Sequence, residues 1–485
     1  MQLESHAYAS PTIAQEPAPG FATRPDPSLW ENCPEVDLDV TEIEGKVPAG
    51  LVGELLRNGP AKRDLGTYFW DGDGMVRALA FSAEGKVRYR SRYIHTPKYL
   101  AERFATKPVY RSAGTQRPGG ILANMFRMPA TEANTHLLSH AGKLWALHEG
   151  GHPFELDPKT LATRGPEHFG GVLSKRVTFS AHPHPDPKTG EVFNFGLEGG
   201  LKGARLHAYR LSREGRLSEV ASASISRMTF MHDFALSDNW MVFVVPPVSL
   251  NMPRMILGIG SVFDAFQWEA GVASEVVMIS RDGTRQLRFD VEPFTFAHMI
   301  VARDVGDDVI VDFVRAPSWD AIGKGLADFR TDCMSFTEEL CQWRMRFNTR
   351  TRRVQSEELC ALPGDFPRGN ENLPTYEQRY SYLAVNPKPR TKGLFRATMK
   401  LDTKSGHTDL FDFGPGFVTQ EPVFVPAPDS KVEDEGWVLQ FVHDNARRAT
   451  DCAVFDARKL ADGPVCTLRL PVNAGMTFHG TWVAP

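Results

Sequence analysis

Four histidines stand in similar surroundings: His182 in TFSAHPHPD, His232 in TFMHDFAL, His298 in FTFAHMIV and His479 in MTFHGTW. Each follows a short apolar or aromatic approach, as at the inner end of a strand. A buried imidazole needs a partner, because its ring nitrogens lose water on burial. One metal ion shared by the four would satisfy all of them. Imidazole donors suit Fe, Cu, Ni or Zn. Closed zinc sites normally use closely spaced Cys and His pairs, whereas the gaps here are 50, 66 and 181 residues. Gaps of that length require four separate elements to converge on one point. Spacing alone leaves the ordinary alternative open. The chain has 15 histidines, and scattered histidines usually titrate as ordinary side chains.

Three carboxylates strengthen the case. Glu149 in LWALHEGG and Glu421 in TQEPVFVP lie beside strand-like apolar runs, and Asp365 lies in LPGDFPRG. A metal-bound imidazole usually donates its other N–H to such an acceptor. The alternative is that all three are ordinary turn or surface acids. A competing arrangement is His184-Pro185-Asp186, which with a distant histidine could form a two-His-one-carboxylate iron site. RNGP at Arg57–Pro60 and DGDGM at Asp71–Met75 read as tight turns, and the second lacks the EF-hand spacing of a calcium loop. Gly119-Gly120 and Gly170-Gly171 lack the dinucleotide pattern, and no Ser or Cys nucleophile elbow is found.

The elements that must position these groups read as strands. Turns at Glu84-Gly85, Thr189-Gly190, Glu214-Gly215, Asp282-Gly283 and Ser405-Gly406 separate alternating or apolar runs, as hairpin turns do. NWMVFVVP, DVIVDFV and GWVLQFV are long enough for buried strands and too short for helices. Many short strands without βαβ alternation predict an all-β fold. A β-propeller would avoid long exposed edges, although the pattern alone does not separate it from stacked sandwiches. Residues 1–30 read as a flexible Pro-rich leader and 31–485 as a single domain. Ser249–Trp268 is apolar but broken by Pro253, Arg254 and glycines. It reads as a packed connection over the core, or as an exposed apolar patch touching a membrane or a greasy substrate.

Composition narrows the partners. There are 55 basic and 59 acidic residues with no basic stripe, so nucleic acid is not expected. The six cysteines form no C-x-x-C pair, which fits free thiols in a reducing compartment. No signal-peptide pattern opens the chain, and no run of about 18 apolar residues occurs. A cytoplasmic protein is expected, with peripheral membrane contact through 249–268 as the alternative role of that segment.

These motifs resemble those of the carotenoid cleavage oxygenases, a family of apocarotenoid oxygenases, lignostilbene dioxygenases and the vertebrate retinoid isomerase. The resemblance rests on GKVPAGLVGELLRNGP, FWDGDGMV, ANT at 133–135, LWALHEGG, FSAHPHPD, FMHDFA, EPVFVP and FHGTW. They fall in the family's order over nearly the whole chain after about residue 31. The resemblance implies a seven-bladed β-propeller with a helical cap over an axial metal. It implies Fe(II) held by His182, His232, His298 and His479. Glu149 and Glu421 match two of three outer glutamates, and Asp365 takes the third position. Thr135 matches a residue that crowds one open iron position in some members. The implied reaction is O₂-dependent cleavage of a C=C bond in a hydrophobic polyene, giving carbonyl products.

The sequence departs from the family at three places. Asp365 is one methylene shorter than Glu, which predicts a longer or water-bridged contact. Met299 follows the third histidine where Asn is frequent. His148 stands where carotenoid-cleaving members have Trp and stilbene-cleaving members have Lys. That missing Lys disfavours a lignostilbene substrate and leaves a carotenoid or apocarotenoid as the expectation. A stilbene dioxygenase and a metal-free binding scaffold are the rival readings.

Overall fold

The computed structural model describes residues 26–62, 65, 68–200, 203–319, 322–323, 340–391 and 393–485. The expected turn dipeptides close hairpins. Gly85 and Gly283 have φ of 75° and 76°, a region that residues with a Cβ enter only at a cost. They join Asp73–Phe81 to Val87–Tyr93 and Ser274–Ser280 to Gln286–Val291, both antiparallel. The apolar runs become Trp240–Val245, Asp308–Ala316 and Gly436–Asp444. Val276, Val277, Met278 and Ile279 are all fully buried between sheets. Burial on that scale contributes about 1.5–3 kcal/mol for each large apolar side chain.

The strands form seven main sheets, the blades of a β-propeller, plus a small two-stranded ribbon. Among the described residues, five blades have four strands and two have five. The chain ends close the ring. Gly480–Val483 pairs with Gly53–Lys62 in the first blade, and Glu42–Gly45 pairs with Cys466–Arg469 in the last. Both closures hide strand edges that would otherwise template aggregation. The blades' innermost strands touch one another around the axis: Ala235–Leu236 meets Thr295–Val305, which meets Gly364–Arg368, then Phe417–Pro426, then Gly480–Val483. Among the described residues, the short helices Pro97–Glu102, Gly120–Asn124 and Met252–Ile256 belong to two insertions. These insertions are bonded together, with Arg111 Nη1 donating to Met255 O and Phe126 N to Ile256 O. Ser249–Trp268 is therefore a packed connection that also exposes Ile256, Leu257 and Ile259 at its edge.

Two expectations are corrected here. RNGP is not a turn. Arg57–Pro60 lies inside the strand Gly53–Lys62. Its glycine serves a close approach, since a Cβ on Gly59 would sit 2.6 Å from Thr477 Cα. In DGDGM only the first part turns, and Asp73–Phe81 is already strand. A Cβ on Gly74 would meet the carbonyls of Glu132 and Ala133 at 2.7 Å. The last residues of the expected leader, 26–30, are the part of it that is described. Pro27–Trp30 forms a 3₁₀ turn with Ser28, Leu29 and Trp30 buried, and residues 1–25 lie outside the described residues.

Candidate metal centre

The four histidines open or occupy innermost strands of four blades. His182 precedes His184–Asp186, His232 precedes Ala235–Leu236, His298 lies in Thr295–Val305, and His479 precedes Gly480–Val483. Their ligand atoms fall within 4.8 Å of one another, and no other such His, Cys, Asp or Glu group occurs among the described residues. The Nε2 atoms converge. His182 and His232 are 2.9 Å apart, His232 and His298 3.2 Å, and His298 and His479 3.3 Å.

The outer nitrogens explain why the His298–His479 contact is not a hydrogen bond. His298 Nδ1 donates to Asp365 Oδ1 at 2.7 Å, and His479 Nδ1 donates to Glu421 Oε1 at 2.8 Å. A neutral imidazole has one proton, so Nε2 of both rings is bare. His232 Nδ1 lies 3.2 Å from Glu149 Oε1, outside hydrogen-bond alignment. Lone pairs facing one another at such distances repel unless a cation lies among them. Nitrogen–metal bonds of about 2.0–2.1 Å put neighbouring donors about 3.0–3.4 Å apart. The donor set fits a metal ion.

The electrostatics favour the neutral form of His182 and His479 and the charged form of Glu421. Burial, then the neighbouring imidazoles, holds His182 well below the usual histidine range. Burial holds His479 there too, against the opposing pull of Glu421. For His298 burial is outweighed by Asp365, which raises it. Burial opposes charge on Glu421, but Arg368, His479 and Arg57 outweigh it and keep it ionised. Arg57 Nη1 and Gly480 N reach Oε2 at 2.6 and 2.8 Å, and Arg368 Nη1 reaches Oε1 at 3.2 Å.

Asp365 does not make the longer contact expected of its shorter side chain. The strand Gly364–Arg368 breaks register between Asp365 and Arg368, and Phe366 takes φ 59°. That strained backbone is the local irregularity beside a 2.7 Å bond to His298. The Phe366 ring lies 5.4 Å from His298 and 5.7 Å from His479.

The H-x-D alternative is overturned. His184 Nε2 meets Asp233 Oδ1 at 2.9 Å, while Asp186 is taken by Arg281. Asp233 also accepts from Met299 N at 2.7 Å. It therefore links the segments of His182, His232 and His298. Sequence reading missed Asp233 although it stands directly after His232 in FMHDFA. Arg57 was missed because RNGP was taken as a turn, and Arg368 because nothing local marks a buried cation.

His148 turns to a different carboxylate. Its Nδ1 accepts from Gly150 N at 3.2 Å, so the proton is on Nε2, 3.3 Å from Glu132 Oε2. Thr135 donates its hydroxyl to Asn134 Oδ1 at 3.3 Å, and its carbonyl accepts from His479 N at 3.1 Å.

Comparison with known proteins gives the family. Residues 28–484 match the model described as retinal pigment epithelial membrane protein. Apocarotenoid-15,15'-oxygenase of Synechocystis is 28% identical, over 92% of this chain and 94% of that protein. Isoeugenol monooxygenase of Pseudomonas nitroreducens is 27% identical, over 93% of this chain and 95% of that protein. The crystal structure of cobalt-substituted Synechocystis ACO superimposes with TM-score 0.87 at 28% identity, covering 95% of this chain and 98% of the other. The family match and the fold agree: the chain belongs to the retinal pigment epithelial membrane protein family, the carotenoid cleavage oxygenases, and is a dioxygenase of that type.

Proposed function

We propose that this chain is a non-haem Fe(II) dioxygenase that cleaves one C=C bond of a carotenoid or apocarotenoid with O₂, giving two carbonyl products. One observation carries the metal: bare Nε2 atoms converge while Nδ1 of His298 and His479 is committed to carboxylates. When bound, Fe(II) supplies the redox activation of O₂. The protein's part is positional. His182, His232, His298 and His479 hold the ion as neutral donors. Asp365 and Glu421 fix two ring orientations, and Glu149 lies against His232. Arg57 and Arg368 keep Glu421 charged. Thr135, tied to His479 through its carbonyl, crowds one side of the site.

The surroundings support a hydrophobic substrate. Phe230 lies against His232 at 5.7 Å and packs with Phe266 and Trp319. Such an apolar wall excludes water and suits a polyene, each CH₂-sized unit contributing about 0.8 kcal/mol on burial. The edge of the two insertions supports a supply route. Ile121, Leu122, Phe126 and Met128 are exposed on one insertion, beside Ile256, Leu257 and Ile259 on the other. This apolar edge is suited to a lipid surface, where polyenes partition. No described helix is long and apolar enough to cross a membrane.

Metal analysis with paired assays tests the reading. One iron per chain and aldehyde or ketone fragments from an apocarotenal are expected. Efficient stilbene cleavage with no polyene turnover would overturn the substrate class. Full activity of a chain stripped of metal would overturn the centre.

A further inference from the structure

His136 opens the second blade's innermost strand, His136–His140, and is buried. It is outside the four-histidine set, yet its ring centroid is 5.3 Å from that of His479 and 6.0 Å from that of His182. Its Nδ1 lies 2.8 Å from Ala181 O, the carbonyl directly before His182. Its Nε2 lies 3.3 Å from Gly480 O, directly after His479, and 3.5 Å from Arg368 Nη1. A guanidinium offers only donors. Nε2 therefore presents its lone pair to Arg368, and the ring proton sits on Nδ1 and is donated to Ala181 O.

The backbone is fixed to the other ligand. Thr135 O accepts from His479 N at 3.1 Å, and Asn58, whose N–H donates to His479 O, donates Nδ2 to His136 O. The main chain at 135–136 is thus bound to the His479 segment and the His136 side chain to the His182 segment. Asp233 links His182, His232 and His298 from another side. His136 supplies a tie between His182 and His479, which come from opposite ends of the ligand order.

We propose that His136 is a positioning residue of the metal centre, its Nδ1–H···Ala181 O bond setting the placement of His182 against His479. This rests on the four histidines holding a metal. Residues that orient metal ligands typically change affinity by about 10–100-fold when replaced. His136→Phe keeps the ring volume and loses the donor. His136→Asn places an amide Nδ2 where Nδ1 stood.

The test titrates metal-free full-length protein with Co(II), reading chelator competition and the visible Co(II) spectrum, with thermal unfolding of the metal-free forms alongside. His136→Phe is expected to bind about 10–100-fold more weakly with an altered spectrum. His136→Asn is expected to stay within a few-fold of wild type with a near-native spectrum. Wild-type affinity and spectrum in His136→Phe would overturn the proposal, as would His136→Asn binding as weakly as His136→Phe. If His136→Phe does not fold, His136→Asn decides, and a tenfold or greater loss there overturns it. Failure of the wild type to bind Co(II) would overturn the metal centre itself, and this inference with it.

Discussion

Arg57 Nη1 lies 2.6 Å from Glu421 Oε2, and both side chains are sealed from water. The pair joins the first blade to the last, directly behind His479. Arg57 also donates to Thr477 Oγ1 and Phe478 O, at 3.0 and 2.9 Å. One guanidinium thus fixes the carboxylate and the chain leading to the ligand that it orients. Removing one partner of a buried pair costs about 3–5 kcal/mol, because the other charge is left unmatched. Arg57→Met should lose stability on that scale and weaken metal retention. Denaturant unfolding and metal content check it, and a loss below about 1 kcal/mol would show that the pair is not structurally important.

The three outer carboxylates should be unequal. Asp365 and Glu421 hold Nδ1 protons at 2.7 and 2.8 Å, whereas Glu149 faces His232 without an aligned hydrogen bond. Asp365→Asn and Glu421→Gln should each weaken metal binding on the order of 10–100-fold. Glu149→Gln should weaken it less. Equilibrium metal competition gives the order directly, and a larger effect at Glu149 than at the other two would refute it.

Acid should destabilise the fold through buried neutral histidine. His443 is buried between Ser28 Oγ at 3.0 Å and Thr450 Oγ1 at 3.1 Å, and burial pushes it from 6.5 down to about 4. The unfolded chain then binds a proton that the folded one refuses. Stability contributed by the neutral ring is complete above pH 6.5 and falls as pH drops toward 4. The loss is on the order of 3 kcal/mol for one such group. His443→Gln should flatten the pH dependence of the unfolding midpoint in that window. An unchanged slope would assign the acid sensitivity elsewhere.

Much of the fold and site was legible because its chemistry is local. Turn glycines, alternating strands and a histidine after an aromatic approach all declare themselves within a few residues. What stayed hidden depends on contacts between blades. RNGP has the composition of a turn, and pairing with Asp73–Phe81 and Gly480–Val483 makes it a strand. Side-chain length predicted a loose Asp365, but the kinked backbone at Phe366 accompanies a short bond. His184-Pro185-Asp186 has a ligand-like pattern, yet its two side chains are drawn away by Asp233 and Arg281.

The C-terminus should carry two separable roles, ligation and closure. Chain ends are usually frayed and dispensable, but here Gly480–Val483 pairs with Glu54–Arg57. Phe478 N and His479 O bond to Asn58 O and N, both at 2.8 Å. Trp482 packs on Phe81 with ring centroids 5.8 Å apart. Deleting 477–485 removes the pairing strand, one imidazole and two acceptors of Arg57, Thr477 Oγ1 and Phe478 O, together. It should abolish metal binding and destabilise the ring. His479→Ala removes only the imidazole, so it should lose metal affinity while keeping near-native unfolding in the metal-free form. Deleting 1–25, Pro-rich and without motifs, should change neither by much. Metal content and thermal unfolding of the three variants separate the roles. If the C-terminal deletion kept both full metal and full stability, His479 would be neither a ligand nor part of a closing strand, and the four-histidine centre would have to be abandoned.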